Sequence, residues 1–182
     1  MSAVQLRTER LWLRPFEAPD VDALHAIFIA PEVRRYLLDD QVMPRSWVEE
    51  LVVQSEADFA PSAGLWSLAL APDGPPMGFA GYREFHEPPV RELIWGLAPA
   101  DRGRGLATEA SRAALRFGFE RLGLDPIDVT IDAPNEPSIR LAKRLGMKET
   151  AREPGPIWEQ VHFALERAAF TPDPGRYEVR TG

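Results

Sequence analysis

The chain contains no cysteine, and basic side chains are fewer than acidic ones. Without a thiol, a disulfide framework, a thiolate-bound zinc and a covalent cysteine intermediate are all excluded. The 21 Lys and Arg residues stand against 28 Asp and Glu residues, which gives a net charge of −7. This charge argues against a general nucleic-acid-binding protein and is compatible with cationic or amine-bearing substrates.

Long apolar runs are missing as well. No stretch approaches the roughly 20 apolar residues that span a bilayer, and the N-terminus lacks a basic segment followed by an apolar run. We therefore expect a cytoplasmic protein with no membrane partner. The three histidines, His25, His86 and His162, have no metal-like spacing. They are expected at the surface or in packing, and no metal site is predicted.

The length and composition predict one domain. A chain of 182 residues with 45% hydrophobic content can bury one core but is short for two. Beyond Phe170 the sequence turns to Thr-Pro-Asp-Pro-Gly. This shift predicts a domain over residues 1–170 and a C-terminal tail over residues 171–182.

Hydrophobic periodicity predicts strands that alternate with helices. Helices are expected after Asp20, after Ser46 with Glu49 completing a capping box, over about 106–122, and from Asn135 to Gly146. A strand–helix–strand order between residues 93 and 132 predicts a parallel crossover in an α/β chain. The predicted strands lie around Leu11 and Leu13, at Trp66–Leu70, Gly78–Phe85, Leu93–Leu97 and Ile127–Asp132, and from Ile157 to Leu165.

A strand, a glycine-containing turn and a helix meet at residues 102–107. The first N–H groups of a helix have no partner within it, and the macrodipole favours negative charge there. Gly103 and Gly105 lack the Cβ atoms that would keep a phosphate away, and Arg102 and Arg104 add positive charge. The segment therefore predicts a pyrophosphate-binding loop, with solvated loop arginines as the alternative.

Written as Arg102-x-x-Gly105-x-Ala107, this loop resembles the coenzyme A loop of the GNAT superfamily of N-acyltransferases. The likeness runs from about residue 6 to residue 167. Within the superfamily the chain is most similar to the branch of the ribosomal-protein N-terminal alanine and serine acetyltransferases. Further residues that carry the resemblance are Leu11, Leu13, Arg14, Glu92, Asn135, Ser138, Leu141, Leu145, Gly146 and Met147.

The resemblance implies a mostly antiparallel central sheet with one parallel pair splayed at a bulge, flanked by about four helices. It also implies an enzyme in which a primary amine, such as a protein N-terminus, directly attacks the thioester of acetyl-coenzyme A. Two helices after the first strand would cover the acceptor site, and a homodimer is compatible with this family. The coenzyme-binding residues implied are Gly96, Leu97, Arg102, Gly103, Arg104, Gly105, Leu106, Ala107, Thr108 and Asn135.

Two of these residues also have ordinary structural explanations. A glycine within a strand marks a bulge or a close approach, and the resemblance gives Gly96 and Leu97 the oxyanion and pantetheine contacts. The alternative is that Gly96 makes room for Trp66 or Trp95. Asn135 is expected to cap the last helix, and the resemblance adds a contact with the pantetheine.

Glu92 is the candidate general base. It lies on the same strand face as Gly96, roughly 13 Å upstream at about 3.3 Å per residue. The resemblance implies that it takes the amine proton through one or two ordered waters, which requires partial burial. The alternative is a solvated carboxylate paired with Arg91 or Arg83.

Ser138 is the candidate acid for the leaving thiolate. Many relatives have a tyrosine seven residues after the Asn of the last helix, but this chain has Ala142 there. The resemblance leaves Ser138 for this role, and ordinary capping of the helix is the alternative.

Two other functions compete with the transferase. A non-catalytic acyl-coenzyme A-binding module would keep the loop but leave the proton-transfer groups idle. A dinucleotide-binding domain would account for Gly103-x-Gly105-x-x-Thr108, although this segment lacks the third glycine of the Rossmann fingerprint.

Overall fold

The computed structural model describes residues 4–59, 64–85 and 90–181, in which nine strands form one sheet. The order across the sheet is β7-β8-β6-β5-β4-β3-β2-β1-β9, and only β5 and β6 are parallel neighbours. The mixed sheet with one parallel pair confirms the predicted fold class. The strands are β1 (Val4–Arg7), β2 (Trp12–Pro15), β3 (Leu65–Ala69), β4 (Gly78–Phe85), β5 (Val90–Leu97), β6 (Ile127–Asp132), β7 (Lys148–Pro154), β8 (Glu159–Leu165) and β9 (Glu178–Thr181).

Five α-helices accompany this sheet in the described residues, one more than expected, because α2 was not predicted. They are α1 (Val21–Ile29), α2 (Pro31–Leu37), α3 (Arg45–Phe59), α4 (Leu106–Phe117) and α5 (Glu136–Arg144). After Phe117 the chain makes a π-helical turn, Gly118–Leu122, and leaves the helix at Gly123 with a φ of 68°. This matches the predicted glycine C-terminus.

The two faces of the sheet carry separate cores. The apolar residues of β6, Ile127, Val129 and Ile131, belong to a buried cluster shared with α4 and α5. A second cluster joins α1, α2 and α3 to β3 and β4. Because strand side chains alternate between faces, the polar residues of β6 lie on the side of α1, α2 and α3. One face of β6 therefore contributes side chains to the hydrophobic core, and the other face presents polar groups.

The parallel strands β5 and β6 diverge. Their ladder has the single register pair Glu92–Asp128, whereas β4 and β5 are paired from Gly78–Leu97 to Phe85–Val90. The splayed pair is thus present. The register of β4 with β5 is continuous through Gly96, so the bulge expected at this glycine is not found on that side. One parallel pair also excludes the doubly wound parallel sheet that a dinucleotide-binding domain requires.

Strands β1 and β7 were not predicted, and helix α3 begins one residue before the predicted cap. The strand predicted at Leu11 is β2, and β1 precedes it. β7 was missed because it is exposed along its whole length and carries no apolar alternation. Helix α3 begins at Arg45, so Ser46 lies inside it and the predicted capping box is wrong. The carboxylate of Glu49 instead pairs with Arg45.

Asp20 precedes α1 as predicted, but its side chain does not cap the helix. Both of its carboxylate oxygens accept hydrogen bonds from the guanidinium of Arg14, at 2.5 and 2.7 Å. The same carboxylate accepts the backbone N–H of Glu17 at 3.1 Å. Asp20 therefore fastens α1 to β2 through an ion pair.

The segment predicted to be a tail returns to the sheet. Strand β9 pairs antiparallel with β1, and Val179 lies opposite Leu6. Tyr177 packs against the main core, and the guanidinium carbon of Arg116 lies 4.3 Å from the centre of its ring. The prediction of a detached tail is therefore wrong for residues 177–181. Strand pairing uses backbone groups, which composition does not reveal.

We expect Tyr177→Ala to lower the free energy of unfolding by about 1–3 kcal/mol, because it removes a large, half-buried ring from the core. Tyr177→Phe is the matched control. The Tyr177 hydroxyl is buried and has no hydrogen-bond partner among the described residues, so its loss should leave stability unchanged or raise it. Urea unfolding measures both variants. An alanine variant as stable as the wild type would contradict the packing of this segment.

Candidate active site

The N-terminus of α4 presents backbone N–H groups without protein partners. Gly105 is the N-cap residue, with a φ of 76°, and no side chain caps the helix. Within the described part of the chain, the N–H groups of Leu106, Ala107 and Thr108 have no acceptor. The N–H of Glu109 is the first to be bonded, to the carbonyl of Gly105 at 3.1 Å. This end of the helix can therefore bind an anion through its main chain.

Backbone conformation explains the two loop glycines. Gly103 and Gly105 both have a φ of 76°, a region that favours glycine. A Cβ atom at Gly103 would meet nothing within 4 Å, and one at Gly105 would lie 3.5 Å from Nη2 of Arg10. Neither glycine is required by close packing within the protein, so the space beside them is open to a ligand.

An ion pair that the sequence analysis did not find fixes this loop to the turn between β1 and β2. Arg10 donates from Nε to Oε2 of Glu109 at 2.6 Å, and from its backbone N–H to Oε1 at 2.8 Å. The hydroxyl of Thr8 donates to the same Oε1 at 2.6 Å. Arg10 also donates from Nη1 to the carbonyl of Arg104 at 2.9 Å. No local pattern could reveal this contact, because Arg10 and Glu109 are 99 residues apart.

These bonds also set the charge of Glu109. Burial by itself raises the pKa of this carboxyl, but hydrogen bonds from Thr8 and Arg10 and the Arg10 charge lower it more. The pKa of Glu109 therefore lies below its ordinary value. Glu109 stays ionised and holds Arg10 beside the open N–H groups.

The two loop arginines occupy different positions. Arg102 donates from Nε to the carbonyl of Leu97 at 3.3 Å and from Nη2 to the carbonyl of Glu32 at 3.2 Å. It thus links the end of β5 to α2. Arg104 is half-exposed and pairs with Asp101 at 3.2 Å. The guanidinium of Arg104, unlike that of Arg102, is therefore held only by an ion pair at the surface.

A cavity of about 500 Å³ adjoins the loop along the outer side of α4. Arg144 of α5 reaches across to it and donates to the hydroxyl of Thr108 at 3.3 Å. Glu109 and Asp173 balance part of the positive charge, through ion pairs with Arg10 and Arg112. The arginines that line the cavity are Arg10, Arg112, Arg116, Arg144 and Arg176. A ligand with several phosphates, bound at the end of α4, could extend into it.

Glu92 belongs to the single register pair of β5 with β6. The residue is only 5% exposed, and its carboxylate accepts two hydrogen bonds from Thr130, from the backbone N–H at 3.0 Å and from the hydroxyl at 2.6 Å. The alternative of a solvated strand-end carboxylate is therefore wrong. Arg91 pairs with Glu84 at 3.2 Å, whereas Arg83 lies opposite Glu92 in the β4–β5 register.

Two further carboxyl groups share this polar face of β6. Burial and the charge of Glu92 raise the pKa of Asp128, and the interaction with His162 partly offsets this rise. Burial and the charge of Asp39 raise the pKa of Asp132, and a hydrogen bond with Gln160 partly offsets this rise. The face on the side of α1–α3 is therefore acidic and suited to a positively charged molecule.

Gly96 has a packing explanation. A Cβ atom there would lie 2.4 Å from the ring of Phe79, so the glycine makes room for an aromatic residue, although not for Trp66 or Trp95. Leu97 is buried, and its carbonyl accepts the bond from Arg102. Close packing alone thus accounts for this glycine.

Asn135 caps α5, as predicted. Its side-chain oxygen accepts the N–H of Ser138 at 3.4 Å. Ser138 is therefore a residue of the first helical turn and not the cap itself. Ala142 is fully buried, so the position at which relatives carry a tyrosine belongs to the core.

The histidines do not all follow the prediction. His25 bonds through Nε2 to the carbonyl of Met43 at 2.9 Å, and His86 lies outside the described residues. His162 is neither a plain surface nor a packing residue, because it hydrogen-bonds to Thr130 and Glu153. Alternation along β6 and β8 was the only sequence signal that places Thr130 and His162 on the face of Glu92.

In residues 4–59, 64–85 and 90–181, no group of three or more His, Asp or Glu side chains is arranged to hold a metal ion. No helix within these same ranges combines the length and apolar character needed to cross a membrane.

Comparisons of sequence and of structure both match this chain to acetyltransferases. The Acetyltransferase (GNAT) domain model matches residues 10–148. The uncharacterized N-acetyltransferase YnaD of Bacillus subtilis (strain 168) is 24% identical over 168 residues, which covers 89% of this chain and 96% of YnaD.

Solved structures share the fold. A GNAT-family acetyltransferase from Bacillus anthracis superposes with a TM-score of 0.77 at 23% identity, over 89% of this chain and 98% of that chain. RimL, a ribosomal L7/L12 alpha-N-protein acetyltransferase in complex with coenzyme A, gives a TM-score of 0.73 at 13% identity, over 89% and 97% of the two chains. The structural neighbours thus include a ribosomal-protein acetyltransferase, the kind of enzyme to which the sequence showed most resemblance.

The ion pair at the loop predicts how stability changes in acid. Because folding lowers the pKa of Glu109 from its ordinary 4.5, its contribution is complete above that pH and is lost as the pH falls through the lower, folded value. The wild type should therefore lose melting temperature faster than Glu109→Gln between about pH 5 and pH 3.

Thermal melting across this range measures the difference. Glu120→Gln, which removes an exposed ion pair from the same segment, controls for a change of charge alone. A gap between wild type and Glu109→Gln that stays constant with pH would contradict the assignment.

Proposed function

Since the chain belongs to the acetyltransferase (GNAT) domain family, we propose that it transfers the acetyl group of acetyl-coenzyme A directly to a primary amine. The loop at α4 would hold the coenzyme, and Glu92 would remove the amine proton. The observation that carries this proposal is the set of three unbonded N–H groups, those of Leu106, Ala107 and Thr108.

The coenzyme fits the loop by chemistry. Its pyrophosphate would accept hydrogen bonds from the first turn of α4, whose macrodipole favours negative charge. Gly103 and Gly105 leave room for close approach, and Arg104 and the arginine-lined cavity supply cations for the remaining phosphate. Asn135 would add a contact with the pantetheine arm. No relative reported above supports a module that only binds acyl-coenzyme A.

The gap between β5 and β6 supports the placement of the reacting groups. With no ladder beyond the Glu92–Asp128 pair, backbone groups near Gly96 and Leu97 are free of β6 on that side. The pantetheine arm would enter this gap, and a backbone N–H there would stabilise the oxyanion of the tetrahedral intermediate. The thioester supplies the acetyl group. The protein aligns it with the amine.

Glu92 suits the role of base. It is buried, and Thr130 fixes both of its oxygens. The span of roughly 13 Å along the strand from Glu92 to Gly96 calls for one or two ordered waters between amine and carboxylate. Ser138 would protonate the leaving thiolate. It lies in the first turn of α5, beside the proposed pantetheine contact at Asn135.

The acceptor is an amine that is positively charged before it loses its proton. The acidic side chains on the polar face of β6, Asp128 and Asp132, would attract such a molecule. We propose a protein N-terminus or a small-molecule amine. A cytoplasmic location and a homodimer stay predictions.

We expect Gly105→Asp to weaken coenzyme A binding about 100-fold or more, because it places a carboxylate beside the phosphate site. Gly105→Asn is the matched control, since Asn is uncharged, similar in size and equally able to adopt a positive φ. Isothermal titration calorimetry measures both affinities, and thermal melting shows that both variants fold. Equal affinity of the two variants would contradict the loop assignment.

We expect Glu92→Gln to lower kcat by about 10²- to 10⁴-fold at acidic to neutral pH, because the amine then loses its base. Coenzyme affinity should not change. Thiol release against N-terminal peptides and small amines measures the rate across pH. The exposed Glu84→Gln on the adjacent strand is the control. A pH profile identical to that of the wild type would remove Glu92 from the mechanism.

A further inference from the structure

We propose that Glu92, Thr130, His162 and Glu153 form a proton relay that carries the amine proton from the buried base to solvent. The inference rests on the proposed function, since it takes Glu92 as the base. It gives His162 a role that neither its sequence position nor the family match assigns.

The proton relay crosses four adjacent strands, with one residue from each. Glu92 of β5 accepts the Thr130 hydroxyl of β6 at 2.6 Å, and that hydroxyl lies 3.1 Å from Nδ1 of His162 on β8. Nε2 of His162 lies 3.0 Å from a carboxylate oxygen of Glu153 on β7. The sheet order β7-β8-β6-β5 makes each contact a contact between neighbouring strands. The chain of hydrogen bonds is therefore continuous.

Exposure rises along the proton relay. Glu92 is 5% exposed, and the side chains of His162 and Glu153 are 24% and 58% exposed. Glu92 thus has little contact with bulk water, whereas the side chain of His162 is partly exposed to it. The far end is thus placed for exchange with solvent.

The hydroxyl of Thr130 has one proton and two neighbours that can accept it. When Glu92 is ionised, Thr130 donates to it, and Nδ1–H of a protonated His162 donates to Oγ1 of Thr130. When Glu92 is protonated, its O–H donates to Thr130, whose hydroxyl donates to Nδ1 of a neutral His162. In both arrangements Nε2–H of His162 donates to Glu153.

The second arrangement converts into the first by the transfer of one proton. The O–H bond of Glu92 breaks, Thr130 gains that proton, and the original hydroxyl proton of Thr130 forms the Nδ1–H bond of His162. Glu92 becomes a carboxylate again, and His162 becomes an imidazolium beside the carboxylate of Glu153. The imidazolium then loses its Nε2 proton to water beside Glu153, which leaves a neutral ring with its proton on Nδ1. Exchange of the ring proton with solvent returns it to Nε2 and frees Nδ1 to accept again. Each turnover therefore releases one proton.

Three charged groups surround the proton relay. Asp128 on β6 interacts electrostatically with both Glu92 and His162. Glu153 on β7 contacts Nε2 of His162 from the solvent side. Arg83 on β4 lies opposite Glu92 in the β4–β5 register.

The first test compares His162→Gln with the wild type. Glutamine can bond to Thr130 and Glu153 but cannot carry the proton. We expect kcat to fall about tenfold at neutral pH, while KM for both substrates and the Kd of coenzyme A stay within about twofold. His25→Gln, a histidine change outside the proton relay, is the matched control. A purely structural His162 would leave kcat and its pH profile unchanged in a folded variant.

The second test asks whether Thr130 and His162 act in series. Thr130→Val removes the hydroxyl but keeps the backbone bond to Glu92, whereas Thr130→Ser keeps both. The valine variant should be at least as slow as His162→Gln, because it also removes a hydrogen bond to Glu92. The serine variant should lie well above both. The double variant Thr130→Val/His162→Gln should be no slower than Thr130→Val, because a break at one point already stops the transfer. Additive losses would overturn the serial relay.

The third test uses His162→Ala with added imidazoles of different basicity. Rescue that follows basicity is expected, because proton transfer obeys a Brønsted relationship. Rescue independent of basicity would mean that the side chain only fills space. A wild type that binds coenzyme A but acetylates no amine in a broad panel would overturn the proposed function as well. An active wild type with unchanged His162 variants would overturn the proton relay alone.

Discussion

The early end of the β5–β6 ladder is the constraint on which the site depends. Parallel strands normally continue to pair, since unpaired backbone groups are costly when buried. Here the pairing stops at Glu92 and Asp128, and the strands part toward the end of β5, where the chain turns into α4. The opening and the unbonded N–H groups of α4 are thus consequences of one backbone path. Glu92 occupies the last point at which both strands are still held together.

The ion pair of Arg10 with Glu109 fixes the loop that precedes α4. A loop with two positive φ angles and an arginine at each side is free to rearrange, yet an anion site requires fixed donors. The turn between β1 and β2 supplies the support, through Arg10 and Thr8. Glu109 lines the cavity beside α4, but its carboxylate is paired with the guanidinium of Arg10. Because that negative charge is already paired, it opposes the proposed phosphate site less than a free carboxylate would.

Sequence patterns predicted the parts of the fold and site that local rules control. Strand β4 matched residue for residue, the alternation of β6 gave its two faces, and Asn135 and Gly123 bounded their helices. Contacts between distant segments were beyond such rules. The ion pair of Arg10 with Glu109 and the pairing of β9 with β1 follow from the folded topology. Exposed β7 carries no apolar signal, and glycine at 96 reflects the ring of Phe79, which lies on another strand.

The pairing of β1 with β9 indicates where the protein can be labelled. Both are strands at one edge of the sheet, and β9 lies five strand positions from β5, roughly 24 Å at about 4.8 Å per strand. A fluorophore or affinity tag attached at the Val4 and Thr181 ends of these strands would sit well clear of the β5–β6 opening. Their other ends lead to Arg10 and Arg176, which line the cavity beside α4.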